Sequence, residues 1–312
     1  MSDPVGGVLL TAGETMAMVA PVSAERLEHA DVFRVDAGGA ESNVAAHAAA
    51  LGRAAAWFSR VGDDALGRRV VARVASRGVD VTRVVVDGAH PTGLYVKDPG
   101  HGVAYYRTGS AAAHLSVADA DELSWAGVAM LHVSGITVAL GGTAPAFLRH
   151  LVARARGAGV PVSVDVNHRT PLWAASAASG PLLELARSAD VVFVGRDEAE
   201  TLWGAADPGA VRALLPDAPQ LIVKDGAVGA TLFAHDDAVF EPALVVDVVE
   251  PVGAGDAFAG GYLAALLAGA SPRQRLRSGH ERAALTMATT GDFPDDAAGS
   301  PVADIPFERT SP

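Results

Sequence analysis

The chain has 312 residues, of which 50% are hydrophobic, enough to bury a large core in one or two domains. It contains no cysteine, so disulfides, thiolate nucleophiles, zinc–cysteine sites and iron–sulfur clusters are excluded. The formal net charge is −12, and no run of lysine or arginine forms a basic stripe, which argues against a nucleic-acid partner.

Short β-branched runs alternate with segments rich in alanine and leucine along the chain. The β-branched runs predict strands over residues 8–11, 54–59, 128–133, 160–166, 190–194 and 221–224. The other segments predict helices over residues 44–51, 66–76, 144–156 and 197–203, and one ending at residue 187. This order is typical of an α/β fold with a mainly parallel central sheet, whose ligands bind beyond the carboxyl ends of the strands.

Three predicted strands without helices between them interrupt this alternation. They cover residues 84–86, 92–97 and 103–107, and residues 16–22 are a further candidate. We expect one domain over residues 1–312, with a small β-sheet lid formed from about 14–37 and 84–109. Because exposed strands of a small sheet tend to be covered, we also expect at least a dimer through this lid.

The sequence suggests a cytoplasmic protein. Residues 1–4 lack a basic region followed by an apolar stretch, as a targeting segment would have. The longest apolar segment, residues 128–140, contains polar residues and is too short to cross a bilayer. The absence of cysteine suits a reducing compartment. We therefore expect small-molecule ligands and neither a nucleic acid nor a membrane as partner.

Glycines and an aspartate open a predicted apolar helix at Gly253-Ala254-Gly255-Asp256, after a predicted strand over residues 244–249. The glycines let backbone N–H groups turn toward a ligand, and a helix N-terminus adds partial positive charge, which together form a cradle for an anion. Asp256 can act as a base toward an incoming hydroxyl. The same pattern is also that of an ordinary capped helix.

Further polar groups stand where ligands are expected. Gly38 and Gly39 permit close approach of the backbone to a ligand, and Asn43 can hydrogen-bond a hydroxyl. Arg169 follows a predicted sheet strand, whereas Arg107 lies on a strand of the small sheet, and either guanidinium can bind a carboxylate or phosphate. Taken singly, each feature is also explained by a turn, a helix cap or a half-exposed strand.

Together these motifs resemble the PfkB, or ribokinase, family of carbohydrate kinases. The matching stretches run in the family's order: Gly38-Gly39 through Asn43, Val61-Gly62-Asp63-Asp64, and Gly253-Ala254-Gly255-Asp256. The resemblance extends from about residue 38 to residue 292. It implies a three-layer α/β/α ribokinase-like fold and transfer of the γ-phosphoryl group of ATP to a sugar hydroxyl.

Within the family, the likeness is greatest to kinases of 2-keto-3-deoxy sugar acids. The matching runs are Thr92-Gly93-Leu94-Tyr95, Tyr105 through Ala112 and Asp165 through Trp173. This implies phosphorylation of the terminal hydroxyl of an acid such as 2-keto-3-deoxygluconate. A carboxylate on the substrate would also explain two arginines in the site.

The resemblance implies a role for each matching residue. Asp256 would be the general base, with Gly253, Ala254 and Gly255 as the anion hole. The keto-acid end of the substrate would contact Tyr95, Tyr105, Arg107 and Arg169, and its hydroxyls would contact Gly38, Gly39 and Asn43. Asp292 matches a late aspartate that reaches the substrate. The nucleotide would contact Lys224, Gly226, Gly229, Gly253 and Gly255, with Mg²⁺ near Glu198. The use of K⁺ is left open, and Gly195 stands where the family usually has an asparagine before that glutamate.

Two other functions compete with this interpretation. A kinase of the same family for a neutral sugar, fructose or ribose, would use the same base and anion hole without needing both arginines. A sugar-binding sensor that has lost catalysis would need neither the base nor the anion hole. Asp256 in an intact anion-hole motif argues against this interpretation.

Overall fold

The computed structural model describes residues 7–23, 25–235, 237–289 and 293. In chain order the strands are β1 (Val8–Ala12), β2 (Met16–Pro21), β3 (Phe33–Gly38), β4 (Ala55–Phe58), β5 (Arg60–Gly62), β6 (Val85–Asp87), β7 (Leu94–Asp98), β8 (Gly102–Tyr106), β9 (Val128–Ser134), β10 (Val162–Asp165), β11 (Val191–Gly195), β12 (Gln220–Asp225), β13 (Gly229–Ala234) and β14 (Asp237–Pro242). The helices are α1 (Ala40–Ala50), α2 (Ala65–Ser76), α3 (Val117–Asp121), α4 (Ile136–Ala139), α5 (Ala144–Gly157), α6 (Ala175–Arg187), α7 (Arg196–Trp203), α8 (Pro208–Leu214), α9 (Ala254–Leu267) and α10 (Pro272–Met287), with a 3-10 turn at Ala111–His114.

The main sheet of the described residues has eight strands in the order β14-β13-β12-β11-β10-β9-β1-β4. The six from β12 to β4 run parallel, and β13 and β14 extend the sheet antiparallel. Consecutive strand residues alternate between two cores: Leu9 and Phe193 face one, whereas Leu10 and Val192 face the other. Buried on both faces, such strands read as continuous apolar runs, and this is why the sequence revealed them.

Helices cover both faces of the main sheet. Helices α1, α9 and α10 pack on one face, and α5, α6, α7 and α8 pack on the other. The predicted three-layer α/β/α arrangement with a mainly parallel sheet is therefore confirmed. No helix within the described ranges is long and apolar enough to span a membrane.

A second sheet, here called the small sheet, has the order β3-β2-β7-β8. The expected lid also included residues 84–86, but β6 joins β5 in a separate two-stranded parallel sheet. Arg60 explains this pairing, because its Nε lies 2.8 Å from Asp87 Oδ2 at the end of β6. The backbone N–H of Val85 also bonds Ser59 O at 2.9 Å, beside the main sheet. Strand β6 therefore lies outside the small sheet.

The strand predicted over residues 244–249 is wrong. Strand β14 ends at Pro242, and residues 243–249 form a loop without regular structure. Val245 is fully exposed (101%) and Val248 is 57% exposed, so these valines are not packed as strand residues of a core would be. Their β-branched character alone suggested a strand.

Candidate active site

A cavity of about 1040 Å³ lies between the small sheet and the carboxyl ends of the main-sheet strands. Every predicted site residue of the described part of the chain lines it. From the small sheet and α1 come Gly38, Gly39, Asn43, Tyr95, Tyr105 and Arg107, and from the main domain come Arg169, Glu198, Lys224, Gly226, Gly229, Gly253, Ala254, Gly255 and Asp256. Asp292 lies outside the described residues.

Helix α9 points its N-terminus at this cavity. Its N-cap, Gly253, has a φ of 84°, a left-handed conformation that glycine adopts without strain, and offers no side chain to cap the first turn. The helix is 14 residues long and begins in the cavity wall. Amide groups of a first helical turn lack intrahelical acceptors, so this end of α9 can stabilise a developing anion.

Asp256 lies in the first turn of α9 and is only 8% exposed. Asn43 of α1 donates from Nδ2 to Asp256 Oδ2 at 3.0 Å, across 213 residues of sequence. Helix α1 begins after Gly39, where an added Cβ would lie 2.5 Å from Glu14 O and from Thr15 Oγ1. Only glycine fits there, and it brings the start of α1 close to the end of β1. The motif from Gly38 to Asn43 and the motif from Gly253 to Asp256 therefore meet at the carboxylate of Asp256.

A buried charge cluster lies at the ends of β10, β11 and β12. Lys224 Nζ lies 2.8 Å from Asp165 Oδ2, and both side chains are largely buried. Burial alone would lower the pKa of Lys224, but the carboxylates of Asp165 and Glu198 outweigh burial and raise that pKa. Lys224 therefore stays protonated and presents a fixed positive charge to the cavity.

Glu198 is anchored to the backbone by both of its carboxylate oxygens. Oε2 accepts the N–H of Gly195 at 2.7 Å, and Oε1 accepts the N–H of His168 at 2.9 Å. Burial and the charge of Asp165 raise the pKa of Glu198 against the opposing charge of Lys224. Within the described residues, no three histidine or acidic side chains are grouped as a metal centre. A Mg²⁺ ion here would take few protein ligands and rely on phosphates and water, as Mg²⁺ usually does.

The two predicted arginines have different surroundings. Arg169 is exposed on the cavity wall and makes no salt bridge within the described ranges. Arg107 is 9% exposed and forms an ion pair with Glu14, which is itself buried. Both guanidiniums were expected to meet a substrate carboxylate; Arg107 has a carboxylate partner already, whereas Arg169 has no ion-pair partner among the described residues and acts on Glu198 only through its charge, which opposes the rise that burial causes in the pKa of that carboxyl.

The small sheet presents two tyrosines to the cavity. Tyr95 of β7 and Tyr105 of β8 are paired in register, with ring centroids 6.0 Å apart. The guanidinium carbon of Arg107 lies 5.8 Å from the centroid of the Tyr105 ring. Alternation along a strand predicts that Tyr105 and Arg107 share a face, and both line the cavity.

Three acidic residues at or beneath the cavity were missed as candidates. Glu14 follows β1, Asp165 ends β10, and Glu41 lies in the first turn of α1 beneath the cavity. Polar side chains directly after buried strands are a signal for ligand sites in parallel sheets, and it applies to Glu14 and Asp165. Glu41 had no such signal: it is fully buried and accepts from Ser134 Oγ at 2.6 Å, which only the tertiary structure reveals.

The sequence matches the pfkB family of carbohydrate kinases over residues 9–295. It is 34% identical over 303 residues to a 2-dehydro-3-deoxygluconokinase from Thermoproteus tenax, covering 94% of this chain and 91% of that protein. It is 35% identical over 298 residues to a 2-dehydro-3-deoxygalactonokinase from Haloferax volcanii, covering 91% and 92%. The crystal structure of the 2-dehydro-3-deoxygluconokinase from Thermotoga maritima superposes with a TM-score of 0.83 at 25% identity, covering 92% of this chain and 94% of that one.

Proposed function

The chain belongs to the pfkB family of carbohydrate kinases, and from this premise we propose that it phosphorylates the terminal hydroxyl of a 2-keto-3-deoxy sugar acid such as 2-keto-3-deoxygluconate. The reaction class, ATP-dependent phosphorylation of a sugar, follows from the family. The observation that carries the substrate class is one cavity holding the Asp256–Asn43 pair at a helix N-terminus and the exposed guanidinium of Arg169, which has no salt bridge among the described residues. Relatives named for 2-keto-3-deoxy sugar acids support the same choice.

In the proposed reaction, Asp256 takes the proton of the terminal hydroxyl. That oxygen forms a bond to the γ-phosphorus while the bond from phosphorus to the β,γ-bridging oxygen breaks, and ADP leaves. Backbone N–H groups of Gly253, Ala254 and Gly255 stabilise the charge on the transferring group. Asn43 holds one oxygen of Asp256, which fixes the carboxylate toward the cavity.

The substrate is proposed to lie under the small sheet. Gly38, Gly39 and Asn43 would bind its hydroxyls, and Tyr95 and Tyr105 would pack along its carbon chain. The substrate carboxylate lies at the opposite end of the sugar acid from the reacting hydroxyl and would bind Arg169. An arginine and a carboxylate form two parallel charge-assisted hydrogen bonds in their best geometry. Asp292, as a further substrate contact, remains a prediction.

The nucleotide is proposed to lie along the end of the cavity formed by β12, β13 and the loop 243–249. Lys224, Gly226 and Gly229 line this end, and the exposed valines of the loop offer an apolar surface for a base. Glu198 and the neighbouring Asp165, whose Oδ1 is buried without a hydrogen-bond partner, are the carboxylates that would hold Mg²⁺. When bound, Mg²⁺ neutralises phosphate charge; a requirement for K⁺ is a separate prediction.

The small sheet is proposed to act as the lid of the single domain, since it supplies one wall of the cavity. Its two edge strands are β3 and β8. Phe33 on β3 is 39% exposed and Tyr106 on β8 is 64% exposed. Exposed edges with aromatic side chains suit coverage by a second subunit, so at least a dimer is proposed.

The alternative is a neutral-sugar kinase, which the pairing of Arg107 with Glu14 favours because it leaves one free arginine instead of two. ADP release from Mg-ATP with 2-keto-3-deoxygluconate, its galactonate epimer, fructose and ribose separates the two. We expect preferential turnover of a keto acid. Arg169→Met should lower kcat/KM for that acid about 10- to 100-fold, the loss of one charge-assisted contact. Arg149→Met, an exposed arginine outside the cavity, is the matched control. Activity on neutral sugars alone would overturn the acid assignment.

A further inference from the structure

Glu14 is a buried carboxylate at the edge of the cavity, directly after β1. Its side chain is only 1% exposed. Ser110 Oγ donates to Glu14 Oε1 at 2.5 Å, across 96 residues of sequence. An added Cβ on Gly93 would lie 2.8 Å from the same oxygen, so a side chain there would displace the carboxylate. Glu14 therefore contacts both the residue that precedes β7 and the turn that follows β8.

The charge that balances this carboxylate is Arg107. The two form an ion pair, and the Arg107 side chain is 9% exposed. A buried carboxylate without a cation is costly, and so is a buried guanidinium without an anion. Each group therefore fixes the other, and the guanidinium reaches the cavity wall with its net charge already cancelled.

The positively charged side chains of the cavity differ in whether they form a salt bridge. Lys224 is paired with Asp165, and Arg107 is paired with Glu14. Among the described cavity residues, Arg169 is the arginine without a salt bridge. Building on the proposed function, we propose that Glu14 is a positioning residue: it orients Arg107 at the cavity wall and offsets its charge, so that Arg169 contributes more than Arg107 to selection of the substrate carboxylate.

This assignment predicts how the preference for an acid changes. Glu14→Gln removes the negative charge while keeping the size of the side chain, so Arg107 loses its ion-pair partner and more of its positive charge acts in the cavity. The ratio of kcat/KM for the keto acid to kcat/KM for a neutral sugar should then rise about tenfold, equivalent to about 1.4 kcal/mol. Both values of kcat/KM can fall, because Arg107 is also less well oriented.

The test is a double-mutant cycle of Glu14→Gln, Arg107→Met and the double variant, each assayed with 2-keto-3-deoxygluconate and fructose. If Glu14 acts through Arg107, the rise in the ratio appears in Glu14→Gln and disappears in the Arg107→Met background. Asp87→Asn is the matched control, because Asp87 is a buried carboxylate (4% exposed) paired with Arg60 away from the cavity. It should leave the ratio unchanged.

Ser110→Ala tests the orientation role if Glu14→Gln does not give folded protein. It removes a hydrogen bond to Glu14 without changing charge, so it should lower kcat/KM for both sugars equally, and only while Arg107 is present. An unchanged ratio in folded Glu14→Gln, or equal effects of either variant with and without Arg107, would overturn the proposal.

The proposed function can fail separately. Wild-type protein that phosphorylates only neutral sugars would overturn the acid assignment, and the coupling between Glu14 and Arg107 would still be measured on fructose. Independent effects of Glu14→Gln and Arg107→Met in that assay would then overturn the positioning role as well.

Discussion

Asp256→Asn is the sharpest test of the proposed mechanism, because it removes the proposed proton acceptor while keeping the size of the side chain. The side chain is 8% exposed, and Asn43 Nδ2 donates to its Oδ2 at 3.0 Å. Asparagine has nearly the same shape and keeps one oxygen that can accept from Asn43. The fold of α1 and α9 around the residue should therefore survive, and the loss should fall on the chemical step.

The size of the loss follows from the role. General-base catalysis contributes about 10²- to 10⁴-fold, so kcat should fall by about 10³-fold, or about 4 kcal/mol of activation free energy. Because the substituted amide would still occupy the same space, KM for the sugar should change only a few-fold. A coupled assay of ADP release gives kcat and KM, and calorimetric titration with the sugar shows whether binding is retained.

Asp207→Asn is the control for this substitution. Asp207 is the N-cap of α8, accepts from Ala210 N at 2.9 Å and lies outside the cavity. Asparagine caps helices about as well as aspartate, so activity and stability should be unchanged. If Asp256→Asn retains a tenth or more of wild-type kcat, or raises KM while kcat holds, Asp256 binds substrate and is not the base.

Two further predictions concern stability. Burial raises the pKa of Glu41 from its ordinary 4.5 to about 7, so the folded state holds a proton that the unfolded chain has lost between these values. This stabilisation is complete below pH 4.5 and is lost as the pH rises through 7, and its loss lowers the free energy of unfolding by about 3 kcal/mol. Urea denaturation of the wild type and of Glu41→Gln across this pH range measures the difference. Equal dependence of the unfolding free energy on pH in the two proteins would refute the prediction. Gly260→Ala should destabilise the fold by about 2 kcal/mol, because its Cβ would lie 2.6 Å from His47 Cβ and 2.7 Å from Val44 O. Gly180→Ala, also helical but with open space around it, should be neutral or stabilising in the same thermal melts, and equal effects would contradict the packing argument.

Sequence patterns were sufficient for the family and the fold class, because both depend on signals that are local. Strand β11 is buried throughout and reads as an uninterrupted apolar run, and Gly253 and Gly255, at the start of α9, stand next to Asp256 in the sequence. Pairing of strands is not local. Val85 and Val86 pair with β5, and the valines at 244–249 pair with no strand, although both runs are as rich in valine as true sheet strands.

The charge balance of the cavity was beyond sequence reasoning for a similar reason. Arg107 was expected to bind an anionic substrate, and nothing near it in the chain indicates that Glu14 already neutralises it. The partner lies far earlier in the sequence, with strands β2 to β8 and helices α1 and α2 between the two residues. An isolated glutamate after a strand carries no pattern that distinguishes a buried ion-pair partner from a surface residue.

The alanine-rich composition, which by itself indicates only helices, has a direct role in the proposed site. Asp256 and Asn43 lie on α9 and α1, so their hydrogen bond depends on how closely these two helices approach. Gly260 lies against the backbone of Val44, and two small alanines, Ala48 of α1 and Ala259 of α9, are fully buried in the core that the two helices share. Larger side chains would separate the helices by more than a hydrogen bond tolerates. Small residues at this contact therefore set the position of the proposed base, and substitutions there should lower kcat even where the fold is retained.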